Sequence, residues 1–199
     1  MMPHDPGLEQ STIVTPVGAL AVIASSWGVR AVLWPGQSRG GFQARCSPAQ
    51  AIPPAPLPIV AEPAAILAAA AEQLREYFAG ERRAFDLPLD PHGTAFQRAA
   101  WGVLRGIPFA TTISYGEQAR RLGDPRKARA VGAANGRNPI PIIIPCHRVI
   151  GADGSLTGFA AGVDHKAWLL GHEARFVRDM TPPDQSTGSM SPSTQERSK

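Results

Sequence analysis

The apolar residues of this chain follow two different spacings, and the change falls near Asp90-Pro91. Before it, Ser11 to Val14, Ala19 to Ala24 and Val29 to Trp34 form short apolar runs. They are separated by Pro16-Val17-Gly18 and Ser26-Trp27-Gly28, which read as turns, so the segment reads as an antiparallel meander. After it, the spacing is helical. Thr94 stands as the N-cap of a helix through Trp101 and Leu104 that Pro108 ends, and Ser114 caps a second through Gln118 to Leu122. Gly123-Asp124-Pro125 breaks the chain, and a third helix runs from Arg126 to Asn135-Gly136. Helix, glycine-bearing turn and helix form a helix-turn-helix pattern. Strands first and helices afterwards make an α+β fold.

The remaining segments are simpler. Residues 35–60 are rich in Gly, Pro, Ser and Ala and read as a long loop. Residues 62–79 carry Ala, Ile and Leu at helical spacing and stop at Gly80, and Phe85 to Leu89 reads as a further strand. Ile142-Ile143-Ile144 reads as a short buried strand, and residues 166–175 as a final short helix. The Ser-, Pro-, Thr- and Gln-rich end from Thr181 reads as a disordered tail. The domain boundaries expected are 1–90, 91–176 and a tail at 177–199.

Hydrophobic residues make up 43 % of the 199, enough for a sizeable core, and no run reaches the length of a membrane span. Met1-Met2-Pro3-His4-Asp5 lacks the basic and apolar blocks of a secretory signal. Two cysteines, Cys46 and Cys146, cannot build a disulfide framework, and a free reactive thiol suits a reducing compartment, so a cytoplasmic protein is expected. Charge is unevenly spread. Residues 1–90 hold six Lys/Arg against eight Asp/Glu, whereas residues 91–175 hold eleven against five. A surplus of six positive charges in the helical half, nearly all arginine, points to a polyanionic partner, and composition alone leaves a solvated basic face equally open.

Within that basic half stands Pro145-Cys146-His147-Arg148-Val149, a thiol directly beside an imidazole. An ordinary cysteine, with a pKa near 8.5, is only a few per cent ionised at neutral pH, and a neighbouring base or cation raises that fraction. In extended chain the two side chains point to opposite faces, so a water rather than a direct bond would link them. Adjacency alone leaves open a buried core thiol beside a satisfied histidine.

Gly93-Thr94-Ala95-Phe96-Gln97, Ile107-Pro108-Phe109, Ser114-Tyr115, Ala128-Arg129-Ala130-Val131-Gly132, Asn138-Pro139, the Pro145–Val149 block and Trp168-Leu169-Leu170-Gly171-His172-Glu173 stand in order along the chain. This series resembles the O6-alkylguanine-DNA alkyltransferases, the methylated-DNA–protein-cysteine methyltransferases, over most of residues 9–176. The resemblance implies a small N-terminal antiparallel-sheet domain, ribonuclease-H-like, and an all-helical C-terminal domain with a winged helix-turn-helix. It implies irreversible transfer of an alkyl group, chiefly methyl, from O6 of a flipped guanine in duplex DNA to Cys146. The product is a thioether, so each molecule acts once.

The resemblance also implies roles. His147 is the base acting through a water, and Glu173 orients the imidazole. Arg129 fills the vacated base stack, which its flat guanidinium suits. Tyr115 crowds the 3′ phosphate and lends its hydroxyl to the guanine N3 edge. Asn138 braces the turn between recognition helix and active-site strand. The carbonyls of Cys146 and Val149 accept from the guanine amino group, and the Ala160 amide donates to O6. Phe159 and Ala161 stand in the lid where many relatives have Tyr and Gly, so benzyl groups should be accepted less well than methyl. The first half lacks the Cys/His cluster with which some relatives bind zinc, and Cys46 alone cannot make such a site, so neither metal nor cofactor is expected. The expected partner is double-stranded DNA carrying O6-alkylguanine, with no membrane and no obligatory protein partner. Activity on O4-alkylthymine and cooperative self-association on DNA stay open, as do three other readings: a damage-binding relative without transfer, a winged-helix regulator and a Cys-His peptidase.

Overall fold

The computed structural model describes residues 7–37 and 61–178. The expected loop at 35–60 and the expected tail therefore lie almost wholly outside the described residues, as does Cys46.

Strands β1 (Glu9–Thr15), β2 (Gly18–Ser25) and β3 (Gly28–Leu33) form one antiparallel meander in the order β1-β2-β3. The first turn is tight, with Thr15 opposite Gly18. Because strand side chains alternate between faces, the sheet sorts its apolar residues into two sets. Ile13, Leu20, Val22, Ala24, Val29 and Val32 face the main core. Ile23, Ala31 and Leu33 form a small cluster on the other side. Against the first face lies α1 (Pro63–Ala79). Its buried residues Ile66, Leu67, Ala70, Leu74 and Tyr77 recur every three or four positions and make one apolar stripe. Gly80 ends the helix in the left-handed region (φ 83°), where its N–H bonds the Tyr77 carbonyl, and a Cβ there would run into the ring of Phe176.

The second half begins with α2 (Ala95–Arg105). Thr94 does cap it, and the Gln97 side chain returns a bond to the Thr94 N–H, a complete capping box. Ser114 caps α3 (Tyr115–Arg121), and a 3-10 turn at Pro125–Lys127 leads into α4 (Ala128–Asn135). These three helices are tied by buried polar groups. Gln118 and Asn135 exchange two side-chain bonds (2.7 and 3.2 Å), Gln118 also donates to the Ala100 carbonyl, and Trp101 Nε1 donates to the Ala134 carbonyl (2.9 Å). Strand β4 (Ile113–Ser114) pairs in parallel with β5 (Val149–Ile150), and α5 (Val163–Arg178) closes the described chain.

Four expectations need correction. The second half is largely, not wholly, helical, because β4 and β5 form a two-stranded pair. The final helix is longer than 166–175, starting at Val163 and ending at Arg178. Phe85 to Leu89 does not form a strand. Its single bridge joins Leu89 to Val29, and Pro88, which has no N–H, leaves only its carbonyl to accept from Val29 (2.9 Å). The run Ile142-Ile143-Ile144 is buried but turned, with Ile142 at φ 75° and the Ile144 N–H bonded to the Ile140 carbonyl. Pro139, Pro141 and Pro145 remove the donors that a strand there would need.

The halves share one core, and Val32 N–H donates to the Pro139 carbonyl across them (2.9 Å). Arg30 reaches from β3 to buried Asp90, which also accepts from Ser25 (2.6 Å). The Val32–Pro139 bond holds the end of the sheet against the segment that leads to Cys146.

Candidate active site

Cys146, His147 and Arg148 occupy one 3-10 turn between the Ile142–Ile144 run and β5. The backbone is therefore not extended there, and with three residues per turn the side chains fan apart. Cys146 lines a narrow cavity of about 30 Å³ with Trp34, Asn138, Pro141, Phe159 and Ala160. His147 and Arg148 instead reach Glu173 on α5.

Glu173, fully buried, is the hub of the site. Oε1 accepts from His147 Nε2 (2.9 Å), Tyr77 Oη (2.9 Å) and Arg148 Nη2 (2.9 Å). Oε2 accepts from Arg148 Nε (3.0 Å) and the Ala110 N–H (2.8 Å). Burial alone would raise this carboxyl, but the bonds and charges of His147 and Arg148 outweigh it and hold the pKa at about 2. His147 is wholly buried, and burial lowers its pKa despite the carboxylate beside it. The imidazole is thus neutral at physiological pH, with Nε2–H on Glu173 and the lone pair on Nδ1. That Nδ1, buried, meets no hydrogen-bond partner among the described residues. A neutral base aimed by a carboxylate is the result.

The thiol departs from expectation. Burial pushes Cys146 up to about 11, against smaller opposite pulls from Asn138 and Lys166. The sulfur is not primed as a thiolate by its neighbours and stays protonated at rest. Its hydrogen-bond partner among the described residues is Asn138, whose Nδ2 donates to Sγ (3.2 Å) and to the Ile144 carbonyl (2.8 Å). Asn138 Oδ1 accepts from the Ile140 N–H, so the residue braces its own turn and also touches the sulfur.

The other expected site residues divide. Tyr115 opens α3, and its hydroxyl donates to the Thr157 carbonyl (2.8 Å), close under the lid. Gly158 (φ 66°) fits there because a Cβ would lie 2.7 Å from that hydroxyl. The Val149 carbonyl accepts from Lys166 Nζ (2.5 Å), and the Cys146 carbonyl from the Val149 N–H. Each keeps a second lone pair. Phe159 is buried edge-on against Trp34, and Ala160 is exposed beside it. Arg129 is exposed in the first turn of α4, apart from the thiol cluster.

Sequence reasoning missed Tyr77, Arg148 and Lys166. Arg148 and Lys166 carried a signal, a lone cation in a largely apolar stretch. Tyr77 carried none, because its hydroxyl meets Glu173 across 96 positions of chain.

Residues 9–91 match the ribonuclease-like domain of 6-O-methylguanine DNA methyltransferase, and residues 95–175 match its DNA-binding domain. The chain belongs to the 6-O-methylguanine DNA methyltransferase family. Among relatives of that family, the methylated-DNA–protein-cysteine methyltransferase of Methanosarcina acetivorans is 56 % identical over 101 residues, 51 % of this chain and 65 % of the relative. That of Shigella flexneri is 56 % identical over 103 residues, 51 % of this chain and 60 % of the relative. The aligned part thus spans somewhat under two thirds of these curated relatives. Crystal structures agree over more of the chain. The O6-methylguanine methyltransferase of Mycobacterium tuberculosis has a TM-score of 0.69 at 38 % identity, covering 89 % of this chain and 96 % of that one. The complex of the same organism's protein with DNA has a TM-score of 0.67 at 39 % identity, covering 83 % and 92 %. Family membership accounts for both the meander with its helix and the largely helical second half.

Among the described residues, no group of three or more His, Cys, Asp or Glu could hold a metal ion, and no helix is long and apolar enough to cross a membrane.

Proposed function

We propose that this protein repairs DNA by transferring the alkyl group of O6-alkylguanine, chiefly methyl, to its own Cys146. The observation that carries this reading is the buried thiol beside a neutral His147 whose Nε2 is held by Glu173 and whose Nδ1 is free to take a proton. The target base rotates out of the duplex, at a cost of a few kcal/mol, and Arg129 on α4 fills the gap. Tyr115 crowds the 3′ phosphate and offers its hydroxyl to the guanine N3 edge. The second lone pairs of the Cys146 and Val149 carbonyls take the guanine amino group, with Ala160 N–H near O6. Phe159 packs beside the base, and Asn138 holds the sulfur in line.

A thiol with a pKa of about 11 does not attack as a standing thiolate at pH 7. Its proton leaves through a water to His147 Nδ1 as the sulfur approaches carbon. The S–C bond forms and the C–O6 bond breaks. Guanine departs as its O6 anion and takes up one proton, so the thiol hydrogen is balanced by the hydrogen of ordinary guanine. Glu173, kept ionised by Arg148, stabilises the imidazolium that forms. The thioether has no good leaving group, and the protein is spent.

The same reading assigns residues 91–176 to DNA binding and transfer, leaves no role for a cofactor, and places the reactive thiol in the reducing cytoplasm. The test is peptide-resolved mass spectrometry after incubation with a duplex containing one O6-methylguanine. One methyl group per molecule on the Cys146 peptide is expected, and an unmodified Cys146 peptide with the lesion intact refutes the proposal.

A further inference from the structure

The cavity beside Cys146 is bounded on one side by the lid residues Phe159, Ala160 and Ala161 and on the other by the end of β3. The residue there is Trp34, 3 % exposed, from the half of the chain that carries none of the transfer chemistry. Its place follows from the strand pattern. It lies two positions beyond Val32, on the same face of the sheet, and so turns toward the shared core. Its ring meets Phe159 edge-on (centroids 5.7 Å, planes at 79°) and lies against His165 (4.5 Å). His165 in turn donates from Nδ1 to the Ala161 carbonyl (2.8 Å). One indole therefore backs the inner wall of the lid and, through His165, its C-terminal end.

We propose that Trp34 is a specificity-determining residue that limits the size of the alkyl group reaching Cys146. The inference rests on the alkyl-transfer reading above. The cavity holds about 30 Å³, whereas an apolar cavity that takes a benzene ring is on the order of 150 Å³. The guanine ring itself therefore enters only as the lid moves outward, and a benzyl group adds a second ring that needs still more room beside Cys146. That further room lies on the side of Phe159, and Trp34 packs behind Phe159. Truncating the indole opens space on that side and frees the lid to swing back. The sheet domain thereby acts on substrate choice through one side chain.

The test measures single-turnover transfer from duplexes carrying O6-methyl- or O6-benzylguanine, and takes the benzyl-to-methyl rate ratio, which a partly unfolded sample does not alter. Trp34→Ala raises the ratio by about tenfold or more, the scale at which fit of an apolar group is discriminated in a closed pocket. Trp34→Phe, which keeps a smaller ring and the core packing, raises it less but measurably. Trp27→Ala, at an exposed turn of the same sheet, leaves it unchanged. Should Trp34→Ala fail to fold, the Phe variant decides alone. A wild-type protein that takes up methyl, with a ratio in the folded Trp34 variant equal to its own, overturns this inference and leaves the transfer reading standing. A wild-type protein that takes up neither group overturns both.

Discussion

Replacing Glu173 by glutamine tests the site at its centre. The carboxylate accepts from Tyr77, His147, Arg148 and the Ala110 N–H, the three side chains all buried. Glutamine removes the charge and turns an NH2 toward a ring of donors. Arg148, 5 % exposed, is left without its counter-ion, and removing one partner of a buried pair costs about 3–5 kcal/mol. Titration gives a second measure of the same interactions. Folding lowers this carboxyl from 4.5 to about 2, which corresponds to about 3 kcal/mol of stability. The two figures describe one set of contacts and do not add. Because the folded pKa is the lower one, this stability is complete above about pH 4.5 and is lost as pH falls toward 2. Glutamine does not titrate, so the gap between wild type and variant narrows over that window, to roughly half at pH 3. Urea unfolding of both proteins at pH 7 and pH 3 measures it directly. At pH 7 the variant should also transfer methyl about a hundredfold more slowly, since the imidazole loses the group that orients it. A stability gap under about 1 kcal/mol at pH 7, or one that does not shrink by pH 3, would refute the view of Glu173 as an ionised hub.

Alkylation of Cys146 by iodoacetamide without DNA should run about a hundredfold below that of an ordinary cysteine at pH 7.5, from the rise of 9.0 to about 11. Followed on its own peptide, the rate should still be climbing with pH at about 10, and a plateau below about pH 9 would contradict the buried thiol. Asn138→Ala leaves the Ile140 N–H unpaired and takes one of two donors from the Ile144 carbonyl, which keeps the Cys146 N–H, and should cost about 1–3 kcal/mol in chemical denaturation, a loss under about 0.5 kcal/mol arguing against the brace. Arg129→Ala touches an exposed side chain and should leave stability within about 0.5 kcal/mol. It should slow repair in duplex DNA by about tenfold while reaction with the free alkylated base changes little, and equal losses on both would remove the case for stack filling. Transfer should be level from pH 8 to below 6.5, because burial lowers His147 and the base stays neutral there, and a fall already at pH 7 would show the opposite shift.

The parts of this molecule that local rules govern were legible in the sequence. Turn residues flanking short apolar runs placed the meander, and Thr94 and Ser114 marked two helix starts because their hydroxyls satisfy N–H groups only a few residues away. Failures came where distant packing overrides local preference. Three isoleucines read as a strand, yet the prolines around them removed donors and the segment turned. The Cys146–His147 adjacency suggested chemistry without geometry. Neither the Glu173 hub nor the Asn138 contact with sulfur follows from spacing, because both depend on how α5 and the Asn138 turn return to the 3-10 turn. Tyr77 and Trp34 lay beyond reach for the same reason. Each belongs to the sheet half and acquires its role only when the two halves share a core.

The raised thiol pKa then acquires a physical sense. A nucleophile that forms a thioether is used once, so reaction with a stray electrophile destroys a whole molecule. Standing thiolate would make Cys146 such a target, and burial that holds it protonated at about 11 prevents this. The cost is a weaker nucleophile at rest, and the neutral His147 offsets that cost only when a proton path and an aligned carbon are present together. In the alkyl-transfer reading proposed above, both arrive with the flipped base. On that reading, selectivity for damaged guanine lies partly in chemistry that the free protein withholds, and the base and the lid decide when it is released.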